Sequence, residues 1–165
     1  MVIIYTGNGK GKTSACVGQA VRALGNGMDV AFAQFMKRDG QAGEQRFLAR
    51  LLGTRFFAAG QGFLRQETER PQHREAAVRT LEWARDALSA VDMLLLDESL
   101  YALTADILKR KELEDLLAAA CDKHLVLSGR NAPNWLIERS DIVTEMNEIK
   151  HPWHSGAKAA RGIEF

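Results

Sequence analysis

Residues Thr6 to Ser14 read Thr-Gly-Asn-Gly-Lys-Gly-Lys-Thr-Ser and follow directly on the apolar run Val2-Ile3-Ile4-Tyr5. The combination suits a phosphate ligand. Gly7, Gly9 and Gly11 let backbone N–H groups approach phosphate oxygens with no Cβ in the way, and a helix beginning near Lys12 adds its positive dipole end. In such a loop the lysine at position 12 reaches the terminal phosphates, and the Thr13 hydroxyl takes one coordination site of Mg²⁺. Asn8, Lys10 and Ser14 complete the expected nucleotide-binding set. The usual pattern has glycine where this chain has Thr6, but its context is met: an apolar strand precedes the loop and an amphipathic segment, 13–24, follows it.

A second element supplies acid. Met93-Leu94-Leu95-Leu96-Asp97-Glu98 reads as a buried parallel strand ending in two carboxylates, the place from which P-loop proteins hold Mg²⁺. Glu98 is the favoured metal ligand. Asp97 either joins it or orients Thr13 or a bound water.

These residues must be positioned by one fold. The chain has 165 residues, 46% of them hydrophobic, which suffices for one ordinary core and not for two full α/β domains; residues 1–165 are read as a single nucleotide-binding domain. Strand-length apolar runs recur at 2–6, 29–35, 54–58, 92–96, 124–128 and 141–145, most of them separated by stretches of helical spacing. Such alternation predicts an α/β fold with a parallel sheet covered on both faces. The clearest helix is 71–90, opened by Pro71 and carrying Ala77, Leu81, Ala84 and Leu88 on one face; 43–52 and 109–120 are also helical in pattern. Asn131 and Pro133 are expected to be the cap and first turn of a further helix through Trp135, Leu136 and Ile137. The long irregular segments are 36–43, 59–70 and 147–165.

Ligands of open parallel sheets sit beyond the carboxyl ends of the strands. That rule predicts one rim shared by the glycine loop, Lys37, the segment Gly60 to Arg65, Asp97 with Glu98, and Arg130. Lysines, an arginine, two acids and a hydroxyl on one rim fit a nucleoside triphosphate with Mg²⁺.

Composition excludes several alternatives. Lys plus Arg number 22 against 21 Asp plus Glu, with a pI near 7.8, so no overall basic field invites nucleic acid, and Lys109-Arg110-Lys111 reads as a solvated helix start. Cys16 and Cys121 are too few and too far apart for a disulfide scaffold; Cys16 is expected to be buried and inert. No apolar run reaches the roughly 18 residues of a membrane span, and the first strand begins at Met1, so the expectation is a cytoplasmic protein with no membrane partner. His151 and His154 are read as loop histidines near a substrate, since Pro152 disfavours a helix and no acid or cysteine cluster adjoins them. Trp83 is expected to serve packing or a dimer contact and Trp135 the core. Trp153 is the spare aromatic for a ligand face.

The chain resembles the P-loop type of ATP:corrinoid adenosyltransferases. The resemblance runs through Thr6-Gly-Asn-Gly-Lys-Gly-Lys-Thr13, Gln34-Phe35-Met36-Lys37 with Gly43-Glu44, Gly60-Gln61-Gly62-Phe63, Leu96-Asp97-Glu98 with Tyr101-Ala102-Leu103, and Ser128-Gly129-Arg130. It extends along the tail through Val143-Thr144-Glu145-Met146, Lys150-His151-Pro152, Gly156-Ala157-Lys158-Ala159 and Gly162-Ile163-Glu164-Phe165. A general P-loop ATPase has no reason to carry that tail. The resemblance implies a three-layer RecA-like fold, a homodimer, and transfer of the 5′-deoxyadenosyl group of ATP to the Co(I) centre of a corrinoid such as cobalamin, with release of triphosphate. A flavin-type reductase protein is an implied partner. Lys12, Phe63 and Arg130 are the implied catalytic residues; Lys37 and Arg130 join the glycine loop on ATP; Thr13, Glu98 and Asp97 attend Mg²⁺. Family members commonly read Gly-Phe-Thr-Trp where this chain has Gly62-Phe63-Leu64-Arg65, and some carry an amino-terminal extension over the active site. The aromatic pair is associated with removing the corrinoid's lower axial ligand, so Arg65 leaves a second reading open: a P-loop ATP-binding or slowly hydrolysing regulatory protein that has lost corrinoid transfer.

Overall fold

The computed structural model describes residues 1–164, so Phe165 of the tail motif lies outside the described residues. Its centre is a sheet of six strands: β1 (Val2–Thr6), β2 (Val30–Gln34), β3 (Phe56–Ala58), β4 (Met93–Asp97), β5 (His124–Ser128) and β6 (Ile142–Glu145). They run in the order β3-β2-β4-β5-β1-β6, and every pairing is parallel. The glycine-loop strand β1 is therefore separated from the acid-bearing strand β4 by β5, in a RecA-like arrangement.

Six helices complete the layers: α1 (Lys12–Gly25), α2 (Gly43–Leu52), α3 (Arg70–Leu88), α4 (Ser99–Thr104), α5 (Arg110–Ala119) and α6 (Asn134–Ile137). The pleat of the strands divides the core between the two faces. Val30, Phe32, Met93, Leu95 and Val126 pack with Cys16 and Ala20 of α1 and Leu48 of α2. The alternating residues Ala31, Ala33, Leu94, Leu96 and Leu127 face α3 through Ala77, Leu81, Ala84 and Leu88, and α5 through Leu113 and Leu116. Strands β2 and β4 are consequently buried along their whole length, which is why they read as continuous apolar runs. The edge strand β6 is the exception, exposed along its length.

The strands predicted at 54–58 and 141–145 form in shorter versions, and the helices at 43–52, 71–90 and 109–120 form within two residues of their expected ends. Asn131 is not a helix cap. It adopts a left-handed backbone with φ 57°, and the short α6 begins at Asn134 after Pro133. The chain is held out there because the N–H of Ala132 donates to Oγ1 of Thr6 at 3.2 Å. The hydroxyl at the non-glycine first position of the loop thus ties it to the segment carrying Arg130. Trp83 serves packing, stacked on Phe57 with ring centroids 5.4 Å apart, and Trp135 is half-buried against the core beneath the Arg110 guanidinium. Helix α4, six residues directly after Glu98, was not foreseen.

The start of α5 illustrates how the helical layer is held. Glu112 accepts from the backbone N–H of Lys109 at 2.8 Å and from both terminal nitrogens of Arg74 on α3, which also donates to the carbonyl of Ile107. The Arg74 hydrogen bonds hold the Glu112 carboxyl below the ordinary carboxylate range against the opposing effect of burial. A carboxylate whose pKa is depressed by folding adds stability above its unfolded value, about 4.3, and loses it as pH falls through the folded value. Glu112→Gln is therefore expected to cost about 1 kcal/mol at neutral pH, partial exposure keeping the figure small, and to flatten the acid limb of the stability curve. Urea melts of both proteins between pH 7 and pH 3 check this; parallel curves would remove Glu112 from that role.

Candidate active site

The loop after β1 and the start of α1 form one wall of the site. Gly7 and Gly11 hold positive φ, 98° and 119°, which explains glycine at both. Gly7 and Gly9 also lie against Met146, where a Cβ would stand 2.4 and 2.8 Å from its carbonyl oxygen. The N–H of Gly9 donates to that oxygen at 2.7 Å, so this amide is engaged by the segment after β6 and not aimed at a ligand. Of the ten residues expected on the nucleotide, Gly7 alone does not line the cleft; Asn8 through Ser14, Lys37 and Arg130 all do. Lys12 is nearly buried and turns its ammonium back onto the carbonyls of Gly7 and Gly9, at 2.7 and 2.8 Å. Burial pulls its pKa down, Arg130 adding to this while Glu98 and Asp97 oppose it. Lys10 donates to the carbonyl of Ile163, tying the loop to the carboxyl-terminal segment.

The opposite wall is built on aligned strand ends. Gln34 is in register with Asp97, and Leu96 with Leu127, so the last residues of β2, β4 and β5 stand side by side. Asp97 is wholly buried and accepts from Oγ1 of Thr13 at 3.0 Å, Nε2 of Gln34 at 2.9 Å and Oγ of Ser128 at 2.5 Å. It stands behind Thr13 and outside the cleft lining. Gln45 extends the network, donating to Gln34 and to the carbonyl of Arg38. Glu98 does reach the cleft, from a left-handed backbone with φ 60° that a non-glycine residue adopts at a cost of order 1 kcal/mol or more. Burial and the neighbouring Asp97 raise its pKa.

Lys37 closes the ring. Its ammonium lies 2.9 Å from Oε1 of Glu44, 3.1 Å from Oγ1 of Thr13 and 3.4 Å from Oδ2 of Asp97. Burial acts to lower its pKa, but Asp97 and Glu44 outweigh that and hold it above the usual lysine value. The reciprocal bond from Lys37 overcomes burial at Glu44 and holds that carboxyl low.

The cleft between these walls has a volume of about 930 Å³. A second cavity of about 400 Å³ adjoins it and shares Lys37, Phe63 and Glu98 with it, while Arg38, Gln61 and Arg65 line the second cavity and not the first. Phe63 stands between the two, 67% exposed, its ring edge-on to Tyr101 at 5.9 Å. The loop that carries it is held against the segment just after β2: Gly60 donates to the carbonyl of Lys37, Gly62 to that of Met36, and a Cβ on Gly60 would lie 2.3 Å from the Met36 backbone. An exposed aromatic between a nucleotide-sized cleft carrying Lys10, Lys12, Lys37 and Arg130 and a second cavity suits a reaction between a triphosphate and a flat, partly apolar molecule.

Comparison with known proteins carries the assignment further. All 165 residues match the family described as ATP:corrinoid adenosyltransferase BtuR/CobO/CobP. A corrinoid adenosyltransferase of Sinorhizobium sp is 37% identical over 171 residues, spanning all of this chain and 80% of its own length. One from Pseudomonas aeruginosa is 35% identical over 169 residues, with 100% and 83% covered. The chain belongs to this family. Among solved structures, the flagellar accessory protein FlaH of Methanocaldococcus jannaschii superposes with a TM-score of 0.55 at 14% identity, covering 87% of this chain and 69% of that one, a likeness of fold alone.

For a family member, the site residues given no role by the sequence, three of them inside the motifs of the resemblance, are those holding others in place. Gln34, Gln45, Glu44 and Ser128 contact no shared rim until the strands are aligned, although a signal existed. Each of the runs ending at Gln34, Asp97 and Ser128 has at least three apolar residues immediately before a polar last residue. Glu148, His151 and Trp153 also line the larger cleft, and Trp153 is 72% exposed. His154 pairs with Glu148 at 2.5 Å. No group of three or more His, Cys, Asp or Glu side chains suited to a metal occurs among the described residues. The hard oxygens of Thr13 and Glu98 nevertheless suit Mg²⁺, which commonly takes only one or two protein ligands beside substrate phosphates.

Proposed function

We propose that this family member transfers the 5′-deoxyadenosyl group of ATP to the Co(I) centre of a corrinoid, with ATP in the larger cleft and the corrinoid over Phe63. The observation that carries this reading is that the cleft lined by the glycine loop and Arg130 adjoins the second cavity at Phe63 and Lys37. In the step, a Co–C bond forms at C5′ of the ribose as the C5′–O bond breaks, and triphosphate departs with the bonding electron pair. Co(I) is itself the nucleophile, so no general base is needed. Lys12, Lys10 and Arg130 carry the charge that meets the leaving triphosphate, with the amides of the glycine loop that remain free toward the cleft. Thr13 and Glu98 would hold Mg²⁺, which supplies further neutralisation of the phosphate oxygens when bound; Asp97 orients Thr13 from behind. Phe63 offers an apolar edge to the corrin face, and Trp153 a second one.

The homodimer, a flavin-type reductase delivering the electron that generates Co(I), and a cytoplasmic location belong to the same reading. In its support, no described helix is long and apolar enough to cross a membrane, and Phe47 and Leu51 present an apolar pair on the exposed side of α2. The competing reading, an ATP-binding protein without transfer, draws on Arg65 at the second cavity. Supplying ATP, Mg²⁺ and chemically reduced cob(I)alamin decides between them. The expected result is a light-sensitive alkylcobalamin spectrum with one triphosphate released per corrinoid. Inorganic phosphate without any alkylated corrinoid would overturn the transferase reading.

A further inference from the structure

We propose that Lys37 is an internal stand-in for the divalent cation: its ammonium engages the Thr13 hydroxyl and neutralises the acids around it before the nucleotide binds, and it yields that hydroxyl to the metal when the nucleotide arrives. The proposal rests on the reading that ATP enters the larger cleft with a divalent cation. The ammonium contacts Oγ1 of Thr13, the hydroxyl that such loops offer to Mg²⁺, and also Oε1 of Glu44 and Oδ2 of Asp97. It therefore occupies a point surrounded by hard oxygens, as a metal ion would.

The need for it is electrostatic. Asp97 is wholly buried, Glu44 is half-buried and Glu98 lies beside them, so three carboxylates share a poorly hydrated corner. Without a neighbouring cation their mutual repulsion and desolvation would oppose folding. A lysine is suited to temporary occupancy, since its charge is a point on a flexible stem with rotatable donors and not a fixed fork. Glu44 gives the ammonium a partner outside the pair formed by Thr13 and Asp97, so it can leave those oxygens without losing every contact. Lys37 also lines the cleft, which leaves the displaced charge facing the triphosphate. Its carbonyl meanwhile accepts from Gly60, so the residue that yields to the metal is joined through its backbone to the loop bearing Phe63.

Mn²⁺ replaces Mg²⁺ as the probe because free and bound ions are separated by electron paramagnetic resonance. Without nucleotide, Lys37→Met is expected to bind Mn²⁺ at least tenfold more tightly than the unaltered protein, whereas Lys37→Arg stays close to it. Lys109→Met, which breaks a remote exposed pair with Asp106, serves as the control and should change nothing. Thermal melts supply a second readout that survives a loss of stability: Mn²⁺ should raise the melting temperature of Lys37→Met more than that of the unaltered protein. Equal Mn²⁺ affinity and equal melting shifts in Lys37→Met and the unaltered protein would overturn the proposal. Its failure is separable from failure of the underlying reading. If the unaltered protein binds Mn²⁺ with ATP but Lys37→Met gains nothing without it, only the role of Lys37 falls; if Mn²⁺ and ATP together give no bound ion, both fall.

Discussion

Lys12→Ala is expected to lower adenosyl transfer about 10²- to 10³-fold, equivalent to about 3–4 kcal/mol of lost transition-state stabilisation. Lys12 is nearly buried, and its ammonium is held at the mouth of the glycine loop by the carbonyls of Gly7 and Gly9. Those contacts are neutral acceptors, so a triphosphate can attract the charge away from them. In the transition state the bridging oxygen gains negative charge as the C5′–O bond breaks, and a nearly buried ammonium is worth most there because little water screens it. Removing it should therefore reduce kcat more than it raises KM for ATP. Steady-state rates with Co(I) supplied in excess separate the two. Transfer within threefold of the unaltered rate would take Lys12 out of the reaction.

Asp97→Ala is expected to destabilise the fold by about 3–5 kcal/mol, read as a lower denaturant midpoint at unchanged slope. Thr13, Gln34, Ser128 and Lys37 all converge on this carboxylate, and its complete burial means that water cannot take its place without a cavity. Asp97→Asn keeps the shape but turns one acceptor into a donor facing other donors, so it should fall between the two. Metal-dependent nucleotide binding should weaken in both variants, because Thr13 loses its orienting partner. A cost under 1 kcal/mol for Asp97→Ala would mean that the aligned strand ends do not hold the site.

The glycine loop was legible because its signal is local. A glycine loop between an apolar strand and a helix has few alternatives, and Thr6 to Ser14 carried it within a single turn of chain. The acid pair was legible for the same reason, two carboxylates closing four apolar residues. The order of their roles needed neighbours. Asp97 continues the strand and is buried, while Glu98 turns through a left-handed residue into the cleft, and nothing in the pair itself distinguishes them. Asn131 misled because a local capping preference, about 1 kcal/mol, yields to a long-range hydrogen bond from Ala132 to Thr6 and the Pro133 that follows.

Periodicity and motif alone were enough for an α/β chain with a glycine loop after its first strand, a carboxylate pair closing a buried strand and a distinctive tail, since those properties depend on residues within a few positions of each other. Folding alone could bring Gln34, Asp97 and Ser128 abreast, set the Lys37 ammonium among Thr13, Glu44 and Asp97, and lay Met146 across Gly9. Those contacts join positions far apart along the chain, and parallel pairing with its crossovers creates them. The register of the sheet, with both faces of its central strands buried, is what turns separate strand endings into one site.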